Sequence, residues 1–183
     1  MDMEVEAKVK VQSLKTMRTK LESMGAEFHP EKRQHDSIFK RKGHELDPQK
    51  PGDFILRVRE SSKNFLAIKV LTDRPGVWIE HETEIADSAA AKALLEAAGF
   101  VQVLTMTKTR IPGTLEDFEL CLDDIKELGT HLEIALDSHD GHTAKKKIVE
   151  LLGKLGYQEK DIIHKGYVAI LFERLGVKFE GTG

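Results

Sequence analysis

Cysteine occurs once, as Cys121, which excludes an internal disulfide framework and any thiolate-rich zinc site and fits a reducing compartment. No apolar run approaches the length of a membrane span, and no basic-then-apolar leader stands at Met1, so the chain is expected to stay in the cytoplasm. Glycine-rich phosphate loops of the Walker or dinucleotide type are missing. An excess of one charge is missing too: 28 basic and 31 acidic residues leave a net charge of -3, which gives no reason to expect nucleic acid or an anionic membrane as a partner. Any basic site must be local. What is present is 183 residues with 40% apolar composition, ample for a buried core. Residues 1–175 read as one globular domain, and 176–183, "GVKFEGTG", as a loosely held, glycine-rich tail.

The stretch "EVEAKVKV", residues 4–11, reads as a strand with two unlike faces. Val5, Ala7, Val9 and Val11 fall on one side, and Glu4, Glu6, Lys8 and Lys10 on the other. A helix follows, with Leu14, Met17, Leu21 and Met24 at helical spacing, Ser13 placed to cap it and Gly25 to end it. The order strand, helix, glycine returns as "WIEHETEI" with "DSAAAKALLEAAG" ending at Gly99, and as "HLEIAL" with "HTAKKKIVELLGKLG" ending at Gly156. Further strands are expected near 34–40, 54–60, 65–71, 101–110 and 116–124, about eight in all. Residues 41–53, rich in glycine, proline and charge, read as a loop long enough to act as a flap.

The polar faces of these strands are nearly all ionised. Arg57 and Arg59 share a side in "FILRVRE"; Lys69 stands among apolar neighbours in "FLAIKVL"; Glu80, Glu82 and Glu84 project together. Lys108 aligns with Arg110, Glu119 and Cys121 with Asp123, and Glu133 lies between His131 and Ala135. Solvated strands with cross-strand ion pairs account for such faces. So does a closed eight-stranded antiparallel barrel in an α+β fold, with helices packed outside against the apolar faces and the charges turned inward. Buried charges must then pair or hold something equally charged. Lys8, Arg57, Arg59, Lys69, Lys108 and Arg110 suit a polyphosphate, and Glu4, Glu6, Asp123 and Glu133 suit a hard divalent cation.

Glu4, Glu6 and Lys8 form Glu-x-Glu-x-Lys, and this resembles the CYTH superfamily of class IV adenylyl cyclases, thiamine triphosphatases and inorganic triphosphatases. The likeness runs in order from residue 4 to about 172, through "QHDSIF", "LRVR", Lys69, the pair Glu82 and Glu84, "KTR" and "CLDDIKELGTHLEI". The last stretch is most similar to the cyclase branch. The resemblance implies a triphosphate tunnel with magnesium or manganese as cofactor: Glu4, Glu6 and Glu133 as metal ligands with Asp123 beside them, Lys8, Arg57, Arg59, Lys69, Lys108 and Arg110 on the phosphates, and Glu82 and Glu84 as further tunnel acids. It also implies conversion of ATP to cyclic AMP and pyrophosphate, with triphosphate hydrolysis and non-catalytic polyphosphate binding as rival activities, and a homodimer as an assembly.

Three departures stand out. Ala135 occupies the place of a second carboxylate on the last strand, Ile38 that of the tyrosine usual before Phe39, and Gly166 with Tyr167 that of a Ser-Tyr pair. Lys8 serves as a general base only if neighbouring arginines lower its pKa. Trp78, at a strand start, reads as core or rim; His139 and His142 as a polar turn at a helix start; Cys121 as a small buried thiol.

Overall fold

The computed structural model describes residues 3–73, 78–138 and 140–178, without the side chains of Met3, Glu4, Trp78, Asp137 and Ser138. The expectations for the Glu4 and Trp78 side chains, for His139 and for the tail beyond Lys178 therefore lie outside the described residues. Among those described, ten strands and four helices alternate in the order β1 (Met3–Lys10), α1 (Leu14–Ser23), β2 (Glu27–Phe28), β3 (Lys32–Arg41), β4 (Phe54–Glu60), β5 (Asn64–Leu71), β6 (Trp78–Ile85), α2 (Ser88–Ala97), β7 (Phe100–Leu115), β8 (Phe118–Ile125), β9 (Gly129–Ser138), α3 (Gly141–Lys154), β10 (Ile162–Ile163) and α4 (Tyr167–Arg174). The fold is α+β, with antiparallel pairing in the described ladders. The sheet follows the path β10-β1-β9-β8-β7-β3-β4-β5-β6, with β2 on β7. This corrects the expected hydrogen-bonded closure: among the described residues the path is open, and the two-residue strands β2 and β10 raise the count beyond eight.

The helix boundaries follow from local chemistry. Ser13, Asp87 and Asp140 each accept a backbone N–H of the first turn of α1, α2 and α3, satisfying donors that the helix itself leaves bare. Beyond the last turns, Gly25, Gly99 and Gly156 take φ of 99°, 88° and 94°, a left-handed backbone that a side chain disfavours.

The chain divides into two compact units: Met1–Lys32 with Lys108–His164, and Arg33–Thr107 with Lys165–Gly183. In the first, the apolar sides of β1, β8 and β9 meet α1 and α3: Ala7, Val9, Leu120, Leu122, Leu132 and Ile134 pack with Met17, Leu21, Ile148 and Leu152. Burying each large aliphatic side chain contributes roughly 1.5–3 kcal/mol. Gly113 on β7 lies against Phe28 and Glu27 of β2, where a Cβ would stand 2.5 Å from the Phe28 ring.

In the second unit, α2 lies on the Leu56 and Val58 side of β4, where Glu60 accepts from Ser88 and Lys92. Helix α4 takes the opposite side. Its Phe172 packs with Ile38 and Ile55, and Ile38 is in register with Arg57. Buried Lys40 holds its ammonium over the Phe172 ring and donates to the carbonyls of Glu45 and Asp47, so the 41–53 loop is tied down at its base. Val177 joins this cluster, and the Lys178 carbonyl accepts from the Gln49 N–H.

Candidate functional site

In the first unit, strand register assembles one charged cluster. Glu6 stands opposite Ala135, Lys8 opposite Glu133, Cys121 opposite Glu133, Asp123 opposite His131, and Arg110 opposite Asp123. Register partners in antiparallel strands share a face, so these side chains converge on the side away from α1 and α3.

Lys8, 2% exposed, donates to Glu6 Oε1 at 2.5 Å and lies 3.4 Å from Glu133 Oε2. Arg110 forks onto Asp123, Nε to Oδ1 at 2.8 Å and Nη2 to Oδ2 at 2.7 Å, and Nη2 also reaches Glu133 Oε1 at 3.0 Å. Burial alone would lift the Glu133 carboxyl, but Arg110, Lys8 and Lys108 outweigh it and hold Glu133 well below the usual carboxylate range. Burial likewise disfavours the charged form of Lys8, and the carboxylates of Glu133 and Glu6 more than restore it, so its pKa is raised. The general-base reading of Lys8 requires neighbouring arginines to lower its pKa; here the carboxylates of Glu6 and Glu133 stand beside it and raise it.

Cys121 is pushed up to about 12, chiefly by burial and against the pull of Arg110, which makes it an inert thiol. His131 is buried, and because the Gly129 carbonyl 3.0 Å away can only accept, Nδ1 carries the hydrogen. Burial lowers its pKa.

The second unit carries a cluster of its own. Arg57 donates through Nη2 to Glu80 Oε1 at 2.5 Å and Glu82 Oε2 at 2.6 Å, while Lys69 stands 2.9 Å from Glu80 Oε2. Arg57 Nε is buried with no hydrogen-bond partner among the described residues. Arg59 forks onto Asp36, Nε to Oδ1 at 2.7 Å and Nη2 to Oδ2 at 2.8 Å. Burial opposes ionisation of Glu80, but Lys69 and Arg57 prevail and its pKa is lowered.

Of the residues singled out from sequence, Glu6, Lys8, Arg110, Asp123 and Glu133 meet in the first unit, with buried Lys108 close enough to act on Glu133. Arg57, Arg59, Lys69 and Glu82 stand on one side of the second unit's strands. Glu84 lies on the same side but pairs with Lys63 at 2.8 Å in solvent. Glu80, from the same triplet, takes its place beside Arg57. Asp36 and His131 were missed. The signal for Asp36 was in "QHDSIF", where a carboxylate shares its side of the strand with Ile38; for His131 it was the two-residue spacing from Glu133.

Among the described residues no three His, Cys, Asp or Glu side chains converge to hold a metal by themselves. The donors present nonetheless fit a hard divalent ion: Glu6 and Glu133 already hold one cation, the Lys8 ammonium, between them. Magnesium is commonly held by one or two carboxylates and completed by substrate phosphates and water. No helix among the described residues is long and apolar enough to cross a membrane.

Residues 2–167, nearly the whole chain, match the CYTH domain, and the chain belongs to that family. It is similar to a protein of Methanocaldococcus jannaschii named a putative adenylate cyclase, 28% identical over 177 residues, 91% of this chain and 97% of that one. Among solved structures, a Pyrococcus horikoshii protein superposes with a TM-score of 0.78 at 26% identity, over 92% of this chain and 98% of that one. A Hippeastrum putative adenylyl cyclase with a dominant triphosphatase activity has the same fold, with a TM-score of 0.69 at 19% identity over 97% of each chain.

Proposed function

We propose that this protein is a divalent-metal-dependent enzyme acting on a triphosphate, converting ATP to cyclic AMP and pyrophosphate. The observation that carries the reading is the repeated pairing of buried cations with carboxylates on one side of each unit's strands, with Arg57 Nε left as a buried donor without a partner among the described residues. A phosphate oxygen satisfies such a donor, and guanidinium and ammonium groups bind a phosphate chain by charge-assisted hydrogen bonds. Membership of the CYTH family and similarity to the Methanocaldococcus protein support this choice of chemistry. The family match spans both units, which supports reading residues 1–175 as one functional domain.

Lys8, Arg57, Arg59, Lys69, Lys108 and Arg110 bind the triphosphate on this reading. Glu6 and Glu133 hold magnesium or manganese, with Glu4 and Asp123 as the further acids assigned to it. The bound ion supplies charge neutralisation on the phosphate oxygens. In the reaction the 3'-hydroxyl oxygen bonds to the α-phosphorus, the bond from that phosphorus to the bridging oxygen breaks, and pyrophosphate leaves, the hydroxyl proton passing by way of solvent to the departing pyrophosphate. Lys8 binds phosphate as an ammonium. Fixed cations lower the barrier by stabilising charge on the transferring group, with no side-chain nucleophile.

A second reading is hydrolysis, in which water attacks the terminal phosphorus of tripolyphosphate, thiamine triphosphate or a nucleotide. One observation favours it: the triphosphatase activity of the similarly folded Hippeastrum protein. Incubation with ATP, and separately with tripolyphosphate or thiamine triphosphate, in magnesium or manganese separates the readings. Cyclic AMP with pyrophosphate is expected. Orthophosphate with the matching diphosphate, and no cyclic AMP, selects hydrolysis, and tight binding without any product rejects both in favour of a binding module. The Glu4→Gln, Glu6→Gln double variant should stay folded and lose turnover; full turnover would reject the metal assignment.

A further inference from the structure

Asp36 and Arg59 sit in register on β3 and β4 and meet by two parallel hydrogen bonds of 2.7 and 2.8 Å. Asp36 is 0% exposed and so takes no part in contact with solvent. The carboxylates on neighbouring Arg57 differ: Glu80 and Glu82 have side chains 34% and 33% exposed, and water can take them over when Arg57 engages another anion. Asp36 has no such exchange available, since a buried carboxylate stripped of its counter-ion costs several kcal/mol. A two-point fork also fixes the plane of a guanidinium, which a single contact leaves free to turn.

We propose that Asp36 is the positioning residue of Arg59, locking the guanidinium plane in advance so that Arg59 meets a phosphate oxygen without losing Asp36. The inference rests on the reading of Arg59 as a triphosphate ligand. Arg57 and Lys69 exchange carboxylates for phosphate; Arg59 keeps its carboxylate and adds the phosphate.

The test is calorimetric titration of the full chain with tripolyphosphate and magnesium, with thermal melts as a control of folding. Asp36→Asn keeps the shape and removes the charge, and should weaken binding roughly tenfold through loss of the locked partner. Arg59→Lys keeps the cation but cannot fork, and should weaken binding to a similar extent; it keeps the question answerable where Asp36→Asn does not fold. The double variant Asp36→Asn, Arg59→Gln should bind no more weakly than Arg59→Gln alone, because the effect of Asp36 on the phosphate passes through Arg59. Wild-type affinity in Asp36→Asn or Arg59→Lys, or effects that add in full in the double variant, would overturn the inference. Failure of the parent reading looks different: Arg59→Gln and Arg57→Gln would then both bind tripolyphosphate as the unaltered chain does.

Discussion

Replacing Asp123 by Asn is expected to destabilise the ligand-free protein by about 3 kcal/mol. Asp123 is 0% exposed, and both its oxygens accept from Arg110, at 2.8 and 2.7 Å. Hydrogen bonds to charged groups contribute roughly 1.5–3 kcal/mol each, so the pair sets an upper bound of roughly 3–6 kcal/mol. Two features pull the loss below that bound. Asn keeps one oxygen that can still accept, and Glu133 Oε1, 3.0 Å from Arg110 Nη2, goes on neutralising the guanidinium. The result lies near the lower end of the roughly 3–5 kcal/mol seen when one partner of a buried pair is removed. Urea unfolding in EDTA measures it, provided the slope with denaturant is unchanged. Glu84→Gln is the internal control, since Lys63 and Glu84 pair at 2.8 Å but are 63% and 54% exposed. Its cost should stay below about 1 kcal/mol. Equal midpoint shifts for the two variants would refute the claim that burial, and not the number of contacts, sets the worth of these pairs.

Glu133 makes stability depend on pH. Its folded pKa lies below the unfolded value near 4.5, so its contribution is present above that value and lost as pH falls through the folded one. Glu133→Gln should flatten the acid limb of a plot of stability against pH below 4.5, and an unchanged acid limb would contradict the assignment. Cys121, pushed up to about 12, leaves on the order of one thiol in 10,000 ionised at pH 8, so a disulfide reagent should label it slowly in the native protein and quickly in denaturant. Gly113→Ala brings a Cβ within 2.5 Å of Phe28 Cδ1 and 2.6 Å of the Glu27 carbonyl oxygen. Because one of those atoms is backbone, a loss of about 1–3 kcal/mol is expected in chemical denaturation.

Alternation was the part of the fold most legible in the sequence. In β1 it separates Ala7 and Val9, which enter the core, from Glu6 and Lys8, which enter the charged cluster. The capping serine and the closing glycines were equally plain, since each answers a local backbone need. Pairing between distant strands was less legible, because period two says which side a residue faces and nothing about its neighbour. Glu80, Glu82 and Glu84 show the gap: alternation puts all three on one side, yet their opposite numbers on β5 are Lys69, Ala67 and Phe65. Only the first two come within reach of Arg57, and Glu84 turns to Lys63. Asp36 was hidden for the same reason, because its role depends on the β3 to β4 register that sets it beside Arg59. Nor does alternation foretell which element covers a face, and so α4 against Ile38 and Ile55 had no forerunner in the pattern.

Register also decides how ionised faces can be built without a bound ion. Charges removed from water must either pair or hold something of opposite sign, and the sequence left both routes open. The strand register provides the first route. Lys8 stands against Glu133 and Glu6, Arg110 against Asp123 and Glu133, Arg59 against Asp36, and Arg57 with Lys69 against Glu80. Cross-strand partners sit about 4.5–5.5 Å apart at Cβ, close enough that a one-residue slip would set like charges or apolar groups opposite one another. Slipping β1 by one residue against β9 would bring Lys8 opposite Leu132 or Ile134 in place of Glu133, stranding a buried ammonium. The same charges that suit a phosphate chain therefore specify the register that assembles them.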